Sequence, residues 1–344
     1  MKCLIVFFLS AAWLWSADDP KAAAEAATGL ALAREGKYNL AITHYRAALA
    51  LEPQMPGLYL NLGLAYLKTN RFPDAAAAFE KATKADPASF QARVLLGMSY
   101  FGCRRFEDAA SQLRQAADQE PDNVELRYKL AQSYLWSRQY QNAIDQYRVL
   151  LVKSPDSAPI HMLLGEVLDA ANQVEQATSE FEAAVKMSPH EPEAHFGLGY
   201  LYWKQKRYEE ASREFRAELA DQPRHPQALT YLGDAEMHTE NDQQALEHLQ
   251  QALKLDAKNR LAHMDLGVIL AAKNDNAGAV LHLREAIRLD PSKPDAHYRL
   301  GKLWRSIGRE QEAESEFAKV KKLAATEQVE PLVNIPGRNR PPVP

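Results

Sequence analysis

Cysteine is nearly absent: 344 residues contain two, Cys3 and Cys103. Cys3 lies in an N-terminal segment expected to be removed, so one thiol remains and the fold must hold by packing alone. Glycine is sparse as well, with 15 residues, and a long, alanine-rich chain with so little glycine reads as mostly helical. An excess of basic charge is also missing. Lys and Arg number 41 against 45 Asp and Glu, a formal net charge of −4. A nucleic-acid binder of this size is usually basic, so DNA and RNA are not expected partners. The N-terminal apolar run from Cys3 to Trp15, broken by Ser10, falls short of the roughly 20 residues that span a bilayer. It fits the apolar stretch of a secretory signal, about 7–15 residues. Lys2 precedes it, and Ser16, Ala17, Asp18 and Asp19 follow.

Residues 1–17 therefore read as a signal peptide, and the protein as exported, periplasmic or secreted. Cleavage after Ala17 puts bulky Trp15 at the −3 position, and cleavage after Ser16 puts Leu14 there, so an uncleaved anchor is the alternative, and membrane association is expected only then. No cysteine follows the run at once, which excludes a lipoprotein anchor at that site.

What the sequence does contain is a repeat. Stepping by 34 from Gly29 gives Gly63, Gly97, Ala131, Gly165, Gly199, Gly233, Gly267 and Gly301. Twelve residues further on, every step is alanine, from Ala41 through Ala177 to Ala313. Four residues later stands a large apolar side chain: Tyr45, Phe79, Leu113, Tyr147, Phe181, Phe215, Leu249, Leu283 or Phe317. Most units close with proline, among them Pro53, Pro87, Pro121 and Pro291. Leucine precedes the glycine series, and Tyr66, Tyr100, Tyr134 and Tyr202 follow it at three residues. Apolar spacings of three and four make one stripe on a helix. Glycine inside a helix costs about 1 kcal/mol against alanine, so its recurrence implies close approach of two helices. The closing proline cannot continue a helix.

These residues resemble the tetratricopeptide repeat (TPR) family. With the glycine as position 8, the signature falls at positions 7, 8, 11, 20, 24, 27 and 32. Nine units fit: 22–55, 56–89, 90–123, 124–157, 158–191, 192–225, 226–259, 260–293 and 294–327. The resemblance implies an all-α TPR α-solenoid, a right-handed superhelix of antiparallel helix pairs. Unit one has Glu25 and Thr28 where a core would be apolar, as suits a cap. Position 17 turns polar in the last three units, with Asp242, Asn276 and Glu310, which predicts lower stability there. Residues 328–344, proline-rich with Arg338 and Arg340, read as a disordered tail.

Members of this family commonly bind protein segments on the concave wall lined by the first helix of each pair. Carried over by position, the resemblance puts the peptide-binding groove at Leu95, Met98, Lys129, Gln132, Trp136, Tyr200, Lys204 and Tyr231. Leu64, Phe101, Phe196, Trp203, Glu166 and Asp234 fall on the same rows. Aromatic anchors among scattered polar groups suit peptide recognition. The bland reading is that positions 5 and 12, including Phe101, Phe196 and Trp203, only pack between units. Position 6 runs Asn61, Leu95, Lys129, which supports neither a lysine–asparagine carboxylate clamp nor an asparagine ladder.

His161, His195, His263 and His297 share position 4, but a repeated register does not bring ligands within about 2 Å of one ion. His190 and His195 are five apart, with Pro192 between them, and imitate a zinc-protease motif only loosely. Cys103 beside Arg104 and Arg105 invites a reactive-thiol reading; a lone thiol in a turn is more often incidental. No catalytic residues, cofactor, metal or small-molecule substrate are expected. The expected role is a non-enzymatic scaffold or adaptor that binds a protein or peptide. The alternatives are a self-associating structural subunit of an envelope complex and the binding subunit of an enzyme assembly.

Overall fold

The computed structural model describes residues 19–55 and 57–323. The signal-peptide and tail assignments, residues 1–17 and 328–344, lie outside them. The described residues form eighteen helices and no strand. They are α1 (Pro20–Arg34), α2 (Tyr38–Leu51), α3 (Leu58–Lys68), α4 (Phe72–Ala85), α5 (Phe90–Gly102), α6 (Phe106–Gln119), α7 (Val124–Trp136), α8 (Tyr140–Lys153) and α9 (Ala158–Ala170). Then follow α10 (Val174–Met187), α11 (Ala194–Lys204), α12 (Tyr208–Asp221), α13 (Pro226–His238), α14 (Asp242–Leu255), α15 (Arg260–Ala272), α16 (Asn276–Leu289), α17 (Pro294–Ser306) and α18 (Glu310–Leu323). Helices α1–α8 belong to one compact unit and α9–α18 to a second. The all-α solenoid expected from the repeat is the fold observed. No helix among the described residues is long and apolar enough to cross a membrane.

Each pair is held by the position-8 and position-24 residues. A Cβ built on Gly63 would stand 2.5 Å from Phe79, one on Gly165 2.6 Å from Phe181, and one on Gly267 2.6 Å from Leu283. The missing side chain is thus replaced by the partner helix's large apolar group. The position-20 alanines are wholly buried in every pair, from Ala41 to Ala313.

The turn inside each pair is one device used nine times. Position 15 has positive φ throughout: Gly36, Asn70, Arg104, Arg138, Asn172, Lys206, Glu240, Asn274 and Gly308. The next residue's N–H reaches back to the position-11 carbonyl, as in Lys37 to Leu32, Gln139 to Tyr134 and Arg309 to Trp304. This is the Schellman ending of a helix, which satisfies carbonyls that the helix leaves open.

Packing between pairs uses position 17. Phe106 lies 6.2 Å, ring to ring, from Trp136, and Tyr208 stacks on His238 at 4.2 Å; Phe72 fills the space beside Gly102. In each case the position-17 ring covers position 13 of the following pair. Asp242, Asn276 and Glu310 offer no ring for this contact.

Candidate functional site: the inner wall

Odd-numbered helices approach one another. Helix α1 touches α3, α3 touches α5 and α5 touches α7; in the second unit α11 touches α13, α13 touches α15 and α15 touches α17. No two even-numbered helices touch as extensively. The odd helices are therefore the inner wall of each unit, and they carry positions 5, 6, 9, 12 and 13, some exposed and some buried.

In the first unit the residues expected in the groove lie on α5 and α7. Leu95, Met98, Lys129, Gln132 and Trp136 are each half-buried. Lys129 donates to Gln132 Oε1 at 3.0 Å and its ammonium lies 5.4 Å from the Phe101 ring centre. It has no carboxylate within ion-pair distance among the described residues. Burial lowers its pKa below the usual lysine range. Phe101 is 7% exposed and packs edge-on against Phe106 at 5.3 Å, in line with the packing reading of that row.

In the second unit the picture changes for one candidate. Tyr200, expected as an exposed anchor, is 1% exposed. Its ring stacks on Trp203 at 5.6 Å and meets Tyr231 edge-on at 5.2 Å. It is a core residue that positions the two rings beside it, because the following pair covers it. Phe196 is wholly buried. Trp203 and Tyr231 remain half-buried, 5.0 Å apart. Lys204 is committed to the buried Asp169 at 2.8 Å.

Two carboxylates stand out in this unit: Asp234, expected on the groove rows, and Asp265, which was not. Trp203 donates its indole N–H to Asp234 Oδ2. Burial is the main cause of the raised Asp234 pKa, while the Trp203 bond and the His238 and Arg299 charges pull it back. Asp265, 2% exposed, has Oδ2 buried without a hydrogen-bond partner. Burial pushes its pKa well above the usual carboxylate range; the Asp234 charge pushes the same way. Asp265 stands at position 6, a row that sequence reading tested only for lysine and asparagine patterns.

The histidines have structural partners. Position 4 bonds position 23 across each of several pairs. Nδ1 of His161, His195 and His297 meets Glu180, Glu214 and Glu316 at 2.6 Å. Glu25 and His44 make the same pair reversed, at 2.7 Å. The two histidines of the loose protease-like motif part company, His190 going to Asp221 and His195 to Glu214.

Glu193, Glu218 and His225 place ligand-type atoms within 4.8 Å of one another. Their hydrogen bonds explain the geometry. Helix α11 starts late, after left-handed Glu193. Glu218 Oε1 accepts the Glu193 N–H at 3.3 Å, and Oε2 accepts the Phe196 N–H at 3.1 Å. Glu218 thus caps a helix that has no side-chain cap of its own. His225 Nδ1 accepts the Ala228 N–H, which leaves Nε2–H to donate to Glu193 Oε1 at 3.0 Å. Cys103 departs from the reactive-thiol reading: burial raises its pKa, and Arg105 only partly offsets this.

Helix pairs with glycine or alanine at each crossing and a left-handed turn in each pair define an all-α repeat protein. Models of the tetratricopeptide repeat match residues 26–90, 60–102, 162–212 and 207–260, a second such model matches 100–167, and a TPR repeat model matches 267–304. The chain belongs to the tetratricopeptide repeat family. Among solved structures it resembles the APC/C hetero-tetramer Cut9–Hcn1 at 17% identity and TM-score 0.56, covering 83% of this chain and 56% of that one. It also resembles a tetratricopeptide repeat protein from Parabacteroides merdae, at 16% identity and TM-score 0.56, covering 71% of this chain and 96% of that one. The C-terminal part of a TPR repeat-containing protein from Cytophaga hutchinsonii follows, at 15% identity and TM-score 0.55, covering 69% and 98%. These likenesses show the fold. No curated protein matches the chain.

Proposed function

We propose that this protein is an exported, non-catalytic adaptor whose inner wall docks an extended segment of another protein. The family supports a protein-binding scaffold in general. The observation that carries the groove reading is Lys129: a half-buried cation on α7 whose ammonium lies against the Phe101 ring, with no carboxylate within ion-pair distance among the described residues. Burying an unpaired charge is costly, and a partner's carboxylate or backbone carbonyl would offset that cost. The export reading rests on the charge, apolar run and small residues of positions 1–17.

A photo-crosslinking amino acid at Gln132 on α7, compared with one at exposed Arg148 on α8, tests the groove in cells. Crosslinks at Gln132 that disappear with Lys129→Glu support it. Crosslinks at Arg148 alone, or at both sites and insensitive to Lys129→Glu, place binding elsewhere. The N-terminal sequence of the purified protein, read by mass spectrometry from fractionated cells, tests export: a chain that retains Met1 in the cytoplasmic fraction refutes it.

A further inference from the structure

The second unit holds a buried carboxylate with one oxygen left without a partner. Asp265 Oδ2 has no hydrogen-bond partner. The charged groups that act on Asp265 are Asp234 from α13, Arg260 on its own helix, and Asp295 and Arg299 from α17. Arg260 is taken by Asp295 in a two-pronged pair at 2.9 and 2.6 Å. His238 lies 3.8 Å from Asp234 and is stacked on Tyr208. Arg299 is exposed and makes no ion pair with Asp265.

Two features of this place specify an occupant. The Asp234 charge opposes ionisation of Asp265, so a neutral donor would satisfy the free oxygen and leave that opposition in place. A cation removes both. The half-buried Trp203 ring meets Asp234 through its indole N–H and packs 5.0 Å from the Tyr231 ring, and aromatic surface next to a carboxylate favours a planar, weakly hydrated cation over an ammonium. Resting on the proposal that the inner wall docks a protein segment, we infer that its second unit recognises an arginine side chain of that segment, the guanidinium bridging Asp234 and the free Asp265 oxygen beside Trp203. This makes the preferred partner segment basic where it crosses α13 and α15.

The test titrates the full chain with capped nonapeptide pools that share one fixed central residue, read by fluorescence anisotropy. Arginine pools should bind at least tenfold tighter than pools fixed with citrulline, its neutral isostere, and Asp265→Asn should erase the preference. Asp234→Asn is read alongside, and circular dichroism shows which variant keeps full helical content. Equal binding of arginine and citrulline pools, or a preference that survives in a folded Asp265→Asn or Asp234→Asn variant, overturns the inference. If equal binding is lost on Lys129→Glu, the inner-wall reading stands without it; if no pool binds, both fail. A lysine pool matching arginine overturns the planar-cation argument. If Arg299 is the resident cation, Arg299→Ala and Asp265→Asn lower the melting temperature equally and non-additively and the arginine preference is missing, which also overturns it.

Discussion

The Phe79 ring occupies the space where a side chain on residue 63 would begin, 2.5 Å from the ideal Cβ position. Gly63→Ala therefore sets two effects against each other. Helix propensity favours alanine by about 1 kcal/mol, while forcing atoms into a packed core costs about 1–3 kcal/mol. The clash is with a fully buried ring, so the expected result is a net loss of about 1–2 kcal/mol in urea unfolding. Ala131, opposite Tyr147, is the control: Ala131→Gly should cost about 1 kcal/mol from propensity alone. The small residue and its role in close approach were readable from the sequence period; its target ring was readable from the matching series sixteen residues on. Position 15 was not. Glycine and asparagine mark the left-handed residue in five units, but Arg104, Arg138, Lys206 and Glu240 hide it. A side chain in that conformation costs about 1 kcal/mol, so Arg138→Gly should raise stability by about 0.5–1 kcal/mol. No gain in the urea midpoint would show that the Arg138 side chain makes up the difference.

Within one helix pair the position-4 to position-23 bond ties the first helix to the second, and one pair departs from the pattern. His263 and His282 meet Nδ1 to Nδ1 at 2.9 Å where other pairs join histidine to glutamate. His263 Nε2 faces the Ala257 carbonyl, so its Nδ1 accepts and His282 must donate. Burial, then the neighbouring His263, depresses the His282 pKa. The sign follows: below about pH 6.5 the unfolded chain takes a proton that folded His282 resists. This pair therefore loses stability as pH falls through that range and regains it above. His282→Glu restores the usual pairing and should raise stability by about 0.5 kcal/mol near pH 6, with a flatter pH profile of thermal unfolding. An unchanged profile would assign the acid sensitivity to other groups. The sequence displayed these histidines as a row. Their partners were legible only once both helix faces were known, because position 23 carries no single residue type. Glu218 was hidden for a related reason: it occupies an apolar position of the repeat, and its purpose lies in the late start of α11. Capping donors buried with no other partner makes Glu218→Ala expensive, about 1–3 kcal/mol; a smaller change in the urea midpoint would mean water replaces the carboxylate.

At the scale of the molecule the architecture was the most legible feature, since an unbroken period fixes element order, pairing and turn length together. The inner-wall chemistry was less so. A repeat places a residue on a row, but only packing decides whether Tyr200 is an anchor or core, or whether Asp265 keeps a partner. The same period also dictates how damage spreads. Within each unit a helix pair packs on its sequence neighbours, so stability there is a sum of local terms and nearest-neighbour interfaces. A lesion such as Gly63→Ala should therefore lower amide-exchange protection in α3, α4 and the helices packed on them, and leave α13–α18 unchanged. A single-core domain would lose protection throughout, because its most stable amides exchange through global opening. The polar position-17 residues add an asymmetry: α15–α18 lack the ring contact that Phe106 and Tyr208 supply, so they should exchange faster than α5–α8 in the parent chain. Hydrogen-exchange mass spectrometry of the parent and Gly63→Ala decides both points. Uniform loss across all eighteen helices would mean that the chain unfolds as one cooperative body, in which a lesion in one pair weakens every other.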